Sequence, residues 1–518
     1  MRAREFLTIG VVLCTVGARF AWSEILRVPS EFSSIQSALN SVQEDDTVLV
    51  SLGIYQEALT APLVSFSLLG DVLPDSTLSN LPVIDPSSLP HPGELACLTF
   101  VQSIPLCRIE RLTFRNGLEM FPRDEIGGIA GSVSHLALKH AKFDSTYYGL
   151  ARVQGTGELI ELDSCLFVNN PVGCVSTEEH RVVARNSFFN GAGFTLVNCA
   201  SNSQFERCRF SGATSAYHLL IDGEATVTQC DFSGNSPDVN AWLFLLNGSG
   251  LVAENIFHNG QFATFAVHVE RDCAFPLSIS GNIFSQLFDV TPIVIECLSP
   301  GLVPAMVDSN IFTAIVTPRA KAVQIQPDAQ TLISGNRMIG LSPPDHATIF
   351  SACDSVVARR NIFIGNGLAY QAFSYNDARH NYWGDSTGPY NALHNPQGHG
   401  DNVSDSVVFN PWYPDTSFLV NAAAPQVELP TQFELRAYPN PFNSTARIEL
   451  DVPAPFIGEI TLTNLLGQTV RTIHRGPLYG RETFTLQAHD LASGLYFLYV
   501  RDVIKNTVAA STKLLLLK

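Results

Sequence analysis

Six ionisable side chains in the middle of the chain could carry out chemistry if the fold brings them together. They lie in or just after short apolar runs, and they are His218, Asp222, His268, Glu270, Asp272 and Glu296. Paired carboxylates beside a histidine can perform general acid–base catalysis or hold a divalent cation such as Ca²⁺. Charged residues on a strand that faces water can also serve solubility alone. The chemistry therefore depends on how these runs are arranged in space.

A phrase that recurs between residues 165 and 383 predicts this arrangement. It consists of Asn or Cys, one variable residue and then Phe, Met or Trp, and successive copies lie 20 to 28 residues apart. A period of this length is typical of a solenoid in which each repeat forms one coil. The copies begin at Cys165, Asn186, Cys208, Cys230, Asn255, Asn282, Asn310, Asn336, Asn361 and Asn381.

Strand alternation gives the phrase a physical meaning. Its first and third side chains point to the same side of a strand, and its second points away. When coils stack about 4.8 Å apart, each Phe lies on the next Phe, and each Asn amide donates to one neighbour and accepts from the other. We therefore expect the phrase to set coil register. The Cys residues fit this row as small buried thiols, with disulfides Cys165–Cys174 and Cys199–Cys208 as the alternative.

Each coil also supplies a second apolar run, and the six candidate residues belong to these runs. On neighbouring coils their outward side chains would form one acidic patch that also contains histidine. The next coils carry uncharged residues, so the charged row does not persist along the solenoid. Aromatic residues that flank the second runs could stack on sugar rings, and they are Tyr147, Tyr148, Tyr217, Trp242, Tyr370 and Tyr375.

Composition and charge exclude several classes of function. The chain has 518 residues, 46% of them hydrophobic, and a net charge of −17. A nucleic-acid backbone would be repelled by this charge, and we find no basic patch that would offset it. No Cys-x-x-Cys pair occurs in the sequence, which argues against the common zinc, redox and haem motifs. We expect no required cofactor, with Ca²⁺ as an optional ligand.

The N-terminal segment has the order of a secretory signal peptide. Met1–Arg4 is basic, an apolar run follows from Phe6 to Val16, and small residues precede Glu24. We assign residues 1–23 to the signal peptide and expect no membrane span in the mature chain, because no later apolar stretch approaches the ~20 residues that a span requires. Residues 24–415 are assigned to the solenoid.

The first coil resembles the entry of right-handed parallel β-helix proteins of the pectate-lyase-like superfamily. In that family a capping helix precedes a strand and turn of the form GDTVLV.PGTY.E, which here read Asp46–Val50 and Gly53–Glu57. Ile35, Leu39 and Val42 have the spacing of such a helix. The segment Asn381–Pro389 is similar to the N.WG...GP phrase that ends many β-helix repeats. The resemblance implies an all-β, right-handed parallel β-helix with an N-terminal capping helix.

A linker over 416–432, rich in small residues and Pro, separates the solenoid from residues 433–518. Alternating strands with Gly-containing turns predict a small antiparallel β-sandwich of immunoglobulin-like type there. This domain resembles the C-terminal sorting domains of type IX secretion. The phrases that carry the resemblance are Tyr438–Phe442 (YPNPF), Leu465–Val470 (LLGQTV), Leu491–Val500 (LASGLYFLYV) and Lys513–Lys518 (KLLLLK). It implies outer-membrane secretion machinery as a partner and a secreted or cell-surface location.

Two hypotheses for function follow. The first is a noncatalytic surface protein that binds extracellular glycan or serves adhesion. The second is a polysaccharide lyase, glycoside hydrolase or epimerase that uses the outer groove near His218 and His268. A lyase that resembles this family would carry an Arg or Lys base beside acidic ligands, and no spacing ties Arg152, Arg181 or Arg271 to such a group. We favour the first hypothesis, because the regularity of the sequence lies in the core.

Overall fold

The computed structural model describes residues 23–518, with gaps at 74–75, 91–94, 118–127, 152–158, 178–179, 192–194, 213–215, 235–238, 262–264, 273–275, 300–304, 317–320, 327–328, 342–346, 354–355, 420–432 and 503–506. Residues 1–22 of the signal peptide predicted at 1–23, and most of the linker predicted at 416–432, lie outside the described residues. The domain boundaries themselves stay predictions.

The chain from Ile25 to Val408 forms a parallel β-solenoid with three strand faces, as the sequence predicts. Face A is a sheet of 13 parallel strands. Its strands are Ile54–Tyr55, Val83–Ile84, Thr113–Arg115, Lys142–Asp144, Leu166–Asn170, Phe188–Gly191, Arg209–Ser211, Asp231–Ser233, Ile256–Gln261, Ile283–Phe288, Ile311–Val316, Arg337–Ile339 and Ile362–Ile364.

Faces B and C follow face A within each coil. Face B contains the second apolar runs, at Leu59–Thr60, Leu98–Phe100, Ile129–Gly131, Tyr148–Ala151, Gly173–Ser176, Thr195–Ala200, Phe265–Asp272, Thr291–Ser299, Val323–Ile325, Ile349–Ser351, Leu368–Ala372, Pro389–Tyr390 and Gly400–Val403. Face C contains Ile25–Val28, Asp46–Ser51, Phe66–Asp71, Cys107–Glu110, His135–Lys139, Leu159–Asp163, Arg181–Arg185, Ser203–Glu206, Leu277–Ser280, Ala305–Asp308, Thr331–Ser334, Val356–Arg359, Asn376–Asp377 and Val407–Val408.

Two long strands join faces B and C in the middle of the solenoid. Ala216–Thr228 and Val239–Ala253 each run from face B into face C, and they pair with each other over most of their length. In the other coils the strands of the two faces are separate elements. These two strands connect faces B and C into one sheet of 29 strands.

Buried asparagine amides form a continuous row at the corner before face A. Asn310 shows the pattern: its Oδ1 accepts hydrogen bonds from the backbone N–H (3.0 Å) and the Nδ2 (2.9 Å) of Asn282. Its own Nδ2 donates to Oδ1 of Asn336 (3.0 Å) and to the carbonyl of Ile279 (2.9 Å). The predicted ladder is therefore confirmed, and its members are fully buried: Asn255, Asn282, Asn310, Asn336, Asn361 and Asn381.

The prediction that Asn186 belongs to this row is wrong. Asn186 has a φ of 51°, in the left-handed region, and Ser187 occupies the ladder position. The hydroxyl of Ser187 accepts a hydrogen bond from the backbone N–H of Cys165 at 3.1 Å. A residue with positive φ precedes every Asn of the ladder as well, for example Ser309 before Asn310. In this coil Asn186 takes that turn conformation, which Asn tolerates better than most residues.

The aromatic residues of face A stack along the solenoid as predicted. Ring centroids of successive members lie 4.7–5.2 Å apart with nearly parallel planes. In the coil of Ser187 the stacked ring is Phe189 rather than Phe188. Met338 takes the place of a ring between Phe312 and Phe363.

The cysteines of the described residues are free and buried, which agrees with the thiol prediction and not with disulfides at Cys165–Cys174 or Cys199–Cys208. Burial raises the pKa of the Cys165 thiol to about 12. Since the thiolate is the reactive form, such thiols are chemically inert at neutral pH. These cysteines therefore act as packing residues.

A short helix, Ile35–Leu39, lies against the first strands of faces B and C. Ser34 caps its N-terminus, and Ile35, Ala38 and Leu39 are buried. The carboxylate of Glu57 accepts hydrogen bonds from the backbone N–H groups of Ile35 (2.9 Å) and Gln36 (2.8 Å). That the helix shields the first coil from solvent stays a prediction. Two 3₁₀ turns, Pro86–Ser88 and Ser417–Leu419, are the other helical elements among the described residues.

The C-terminal domain is antiparallel. Its strands are Glu434–Tyr438, Thr445–Thr463, Thr469–Gln487, Gly494–Asp502 and Thr507–Leu516. The first half of Thr445–Thr463 pairs with Glu434–Tyr438, and its second half pairs with Gly494–Asp502. A separate apolar core lies within this domain and includes Phe442, Ile448, Leu462 and Leu498. The predicted immunoglobulin-like type stays a prediction.

Replacing Asn310 with Leu should destabilise the solenoid without changing the chemistry of its outer faces. The substitution removes four hydrogen bonds from buried groups of neighbouring coils. An unsatisfied buried polar group costs ~1–3 kcal/mol, so we expect the free energy of unfolding to fall by ~3 kcal/mol or more. Urea unfolding of Asn310→Leu and of the exposed control Asn402→Leu measures this. Equal stability of the two variants would contradict the role of the ladder.

Candidate functional site

Alternate residues of face B, on the side away from the core, form a row that crosses seven coils and in which Phe244 and Val294 are buried. Strand pairing places Leu220, Phe244, His268, Val294, Gln324, Phe350 and Gln371 opposite one another in succession. The residues before them in the strands, such as Val267 before His268, point into the core and are fully buried. At the inter-strand spacing of ~4.8 Å the row is roughly 30 Å long.

His268, Glu270 and Glu296 come together on this face, as predicted. One ligand atom of each lies within 4.8 Å of those of the other two. Strand pairing sets Glu270 directly opposite Glu296. Nε2 of His268 lies 3.7 Å from Oε2 of Glu296, beyond the usual hydrogen-bond distance. Like charges opposite each other destabilise a sheet. The Glu270–Glu296 pair therefore opposes the pairing of these two strands.

The protonation state of His268 follows from its surroundings. Burial lowers the pKa of His268, and the charges of Glu296 and Glu270 oppose that shift without cancelling it. The imidazole is therefore neutral at pH 7 and available as a proton acceptor or as a ligand. One nitrogen and two carboxylates suit Zn²⁺ or Mn²⁺ better than Ca²⁺, which prefers oxygen ligands only.

Aromatic rings lie beside the cluster. Tyr217 stacks on Phe244 with ring centroids 4.7 Å apart. Phe244 and Phe265 lie 5.0 and 4.7 Å from the His268 ring. The pKa of Tyr217 is raised by burial and by the negative charge of Glu270, although a hydrogen bond with Asn240 lowers it. Tyr217 is therefore within electrostatic reach of the acidic cluster. Phe244 and Phe265 were not among the predicted site residues, although both lie in second runs of the coils that form the cluster or adjoin it.

A second aromatic group lies at the other end of the row. Phe350 and Phe373 meet edge to face with centroids 5.2 Å apart. Nζ of Lys321 lies 4.1 Å from the centre of the Phe350 ring. Phe373 is 68% exposed and Tyr375 is 78% exposed. Face B thus carries aromatic groups on both sides of its acidic cluster.

His218 is not part of this surface, contrary to the prediction. It is fully buried, its ring lies parallel to that of Trp242 at 6.0 Å, and its neighbour Leu219 is buried as well. Alternation fails at this point because the chain turns a corner where face B begins. Trp242 and Tyr370, expected as possible sugar-stacking residues, are also buried.

Of the other predicted residues, Asp222 lies apart from the cluster. Asp222 is exposed and accepts a hydrogen bond from Nδ2 of Asn247 at 2.9 Å. Asp272 ends its strand, and its side chain lies outside the described part of the chain. Of the arginines considered as a lyase base, Arg181 lies on face C and Arg271 is fully buried. Arg152 lies outside the described residues.

A separate cavity of about 370 Å³ lies on face C. Its rim carries both signs of charge, from Arg108, Lys139, Glu161 and Asp163 among others. Oε2 of Glu161 lies 2.8 Å from Nε2 of His135. Oδ1 of Asp163 accepts a hydrogen bond from Nδ2 of Asn186 at 3.2 Å. Its acidic groups are thus already partnered within the protein. The cluster on face B remains the better candidate site.

Comparison with known proteins identifies the C-terminal domain. Residues 436–514 match the family model of the secretion system C-terminal sorting domain. The domain is a type IX sorting domain. No curated protein matches the chain. The sorting domain shows that the protein is exported to the cell surface or secreted and that it interacts with the secretion machinery. Among the described residues, no helix is both long and apolar enough to cross a bilayer.

His218 should make the solenoid sensitive to acid. Burial lowers the pKa of His218 to about 3, so the folded protein keeps it neutral while the unfolded chain protonates it below pH 6.5. Stability from this group is therefore complete above pH 6.5 and is lost as the pH falls toward 3. Between pH 6.5 and 4 the loss is on the order of 3 kcal/mol.

Unfolding in urea at pH 7 and pH 4 tests this expectation. We expect His218→Phe, which keeps a ring beside Trp242, to lose less stability on acidification than the wild type. His394 is exposed, and His394→Phe serves as the control. An equal acid-induced loss in the wild type and His218→Phe would refute the assignment.

Proposed function

We propose that the exported solenoid binds an extracellular polysaccharide along the outer surface of face B. The observation that carries the proposal is the row on face B with accessible aromatic rings at both ends: Tyr217, which stacks on the buried Phe244, and Phe350 with Phe373. Aromatic rings supply large apolar contact area with a defined geometry, and polar groups between them fix orientation. The type IX sorting domain supports the proposal, because it indicates export to the cell surface or secretion and an extracellular polymer can be reached only from there.

The parallel coils suit a polymeric ligand. Successive coils repeat at a constant spacing, so equivalent outward positions lie along a straight line. A ligand that follows this line contacts His268, Glu270 and Glu296 between the two aromatic groups. Neutral His268 and the half-exposed carboxylates can accept hydrogen bonds from hydroxyl groups. An uncharged or cationic polysaccharide fits this surface better than an anionic one, because the central carboxylates repel negative charge.

Binding measurements with single aromatic substitutions test the proposal. We expect Tyr217→Ala and Phe373→Ala each to weaken binding about fivefold, which corresponds to ~1 kcal/mol for one aromatic contact. A glycan array selects the ligand, and calorimetry of the full chain gives the affinities. The control is Leu393→Ala, which removes a side chain that is 70% exposed and lies outside the row. Equal affinities for all variants would exclude face B as the binding surface.

A second candidate function, polysaccharide cleavage or modification, is favoured by the His268 cluster. One carboxylate oxygen of Glu270 lies within 4.8 Å of one of Glu296. The two carboxyl groups of retaining glycosidases lie ~5 Å apart, and those of inverting enzymes ~6.5–9.5 Å apart. A hydrolase that used this close pair would therefore be of the retaining type. His268 would hold or exchange a proton beside them. A divalent cation is an optional further component of this site.

Product analysis separates the two functions. Incubation with the polysaccharide that binds best should leave its length unchanged if the protein only binds. Shortened or unsaturated products that disappear in His268→Ala and in Glu296→Gln would establish catalysis at the cluster. Products that persist in both variants would place the activity elsewhere. An epimerase does not change the length of the polysaccharide, so the products are also analysed for sugars of altered configuration.

A further inference from the structure

The sorting domain exposes two adjacent leucines at the tip of a hairpin. Strands Thr445–Thr463 and Thr469–Gln487 are joined by the five residues 464–468. Leu465 is 68% exposed and Leu466 is 83% exposed. Among the described residues of this domain, the next most exposed large apolar side chains are Leu517 at 52% and Val508 at 50%. Neither leucine belongs to the apolar core of the domain.

The tip is held in one conformation by its own hydrogen bonds. Oδ1 of Asn464 accepts from the backbone N–H groups of Leu466 and Gln468, both at 3.0 Å. Its Nδ2 donates to Oε1 of Gln468 at 2.9 Å. Two backbone bonds close the same turn, from Asn464 to Gln468 and from Gly467 to Asn464, each at 3.0 Å. Gly467 has a φ of 76°, a conformation that favours glycine.

A rigid turn that presents apolar side chains has the properties of a binding anchor. Little conformational entropy is lost when a partner closes over side chains on a preformed loop. Binding energy at interfaces concentrates in a few such side chains that fill pockets on the partner. Leu465 and Leu466 are therefore well placed to contact another molecule.

The chemistry of the tip favours a protein pocket over a membrane surface. Residues 463–470 contain no charged side chain, in a chain whose net charge is −17. Attraction to an anionic lipid surface would require Lys or Arg beside the apolar residues. An apolar, uncharged pocket on a protein matches the tip instead.

We propose that Leu465 and Leu466 dock into an apolar pocket of the outer-membrane secretion machinery and that this contact commits the chain to export. The partner follows from the domain itself, since residues 436–514 form a domain that the secretion machinery reads. The two leucines are the most exposed large apolar side chains among the described residues of this domain. This inference concerns the sorting domain and is independent of what the solenoid binds.

Export of the full chain in a host with a type IX system tests the proposal. We expect Leu465→Ser/Leu466→Ser to reduce the amount of chain on the surface and in the medium at least tenfold, with the remainder retained inside. Leu465→Met/Leu466→Met keeps apolar side chains and should restore export. Val508→Ser removes another half-exposed apolar side chain of the domain and should be exported like the wild type.

Two further measurements separate docking from folding and from self-association. Thermal unfolding of the purified full chain should not change in the serine variant, because both leucines are exposed. Asn464→Ala keeps the leucines but loosens the turn, and we expect export to fall severalfold. Should the serine variant unfold, Leu466→Gln alone is judged by the same export criterion.

Normal export of the serine variant would overturn the proposal, as would an equal loss in Val508→Ser. A wild-type dimer that dissociates in the serine variant while export stays normal would assign the tip to a second copy of the chain. Binding of the wild type to anionic vesicles, lost in the serine variant, would assign it to the membrane. Both of these outcomes contradict docking to the secretion machinery.

Discussion

The solenoid depends on the need of buried amides for hydrogen-bond partners. A side-chain amide without a partner is costly in an apolar core, and each ladder Asn from Asn255 to Asn361 obtains its partners from the coils before and after it. Coils therefore cannot slide past one another without breaking several hydrogen bonds at once. The stacked rings of face A add apolar contact but specify the register of the coils only weakly, because a ring can pack on any neighbouring ring. Register is set by the amides, and all outward rows follow from it.

The same constraint explains where function is found. Inward positions are occupied mainly by Asn, Phe, Cys and branched aliphatic residues that pack on or hydrogen-bond to the neighbouring coil. Only outward positions are free to differ, and face B uses this freedom to place Glu270 directly beside Glu296. Such a pair is unfavourable for the sheet. Inward residues therefore stabilise the solenoid, and outward residues are the ones that can take part in binding or catalysis.

Sequence reasoning predicted the coils, the ladder and the cluster because each has a period or a spacing. It failed at Asn186 because the phrase there fits two registers, and the left-handed turn that decides between them leaves no unambiguous mark in the sequence. It failed at His218 because alternation was extended into a corner where two successive side chains are buried. Phe244 and Phe265 escaped notice because an aromatic residue in an apolar run predicts a core position, and only strand pairing places them beside His268.

The amide ladder also bears on how such proteins change in length. From Asn282 to Asn361, each Asn makes the same set of bonds to the coil before it and the coil after it. A whole coil removed or duplicated within this segment joins two equivalent ends and leaves no amide without a partner. Evolution can therefore adjust the reach of the outer faces in steps of one coil, while the sorting signal at the C-terminus stays untouched. The number of coils held together by the interior thus determines the length of the outer faces.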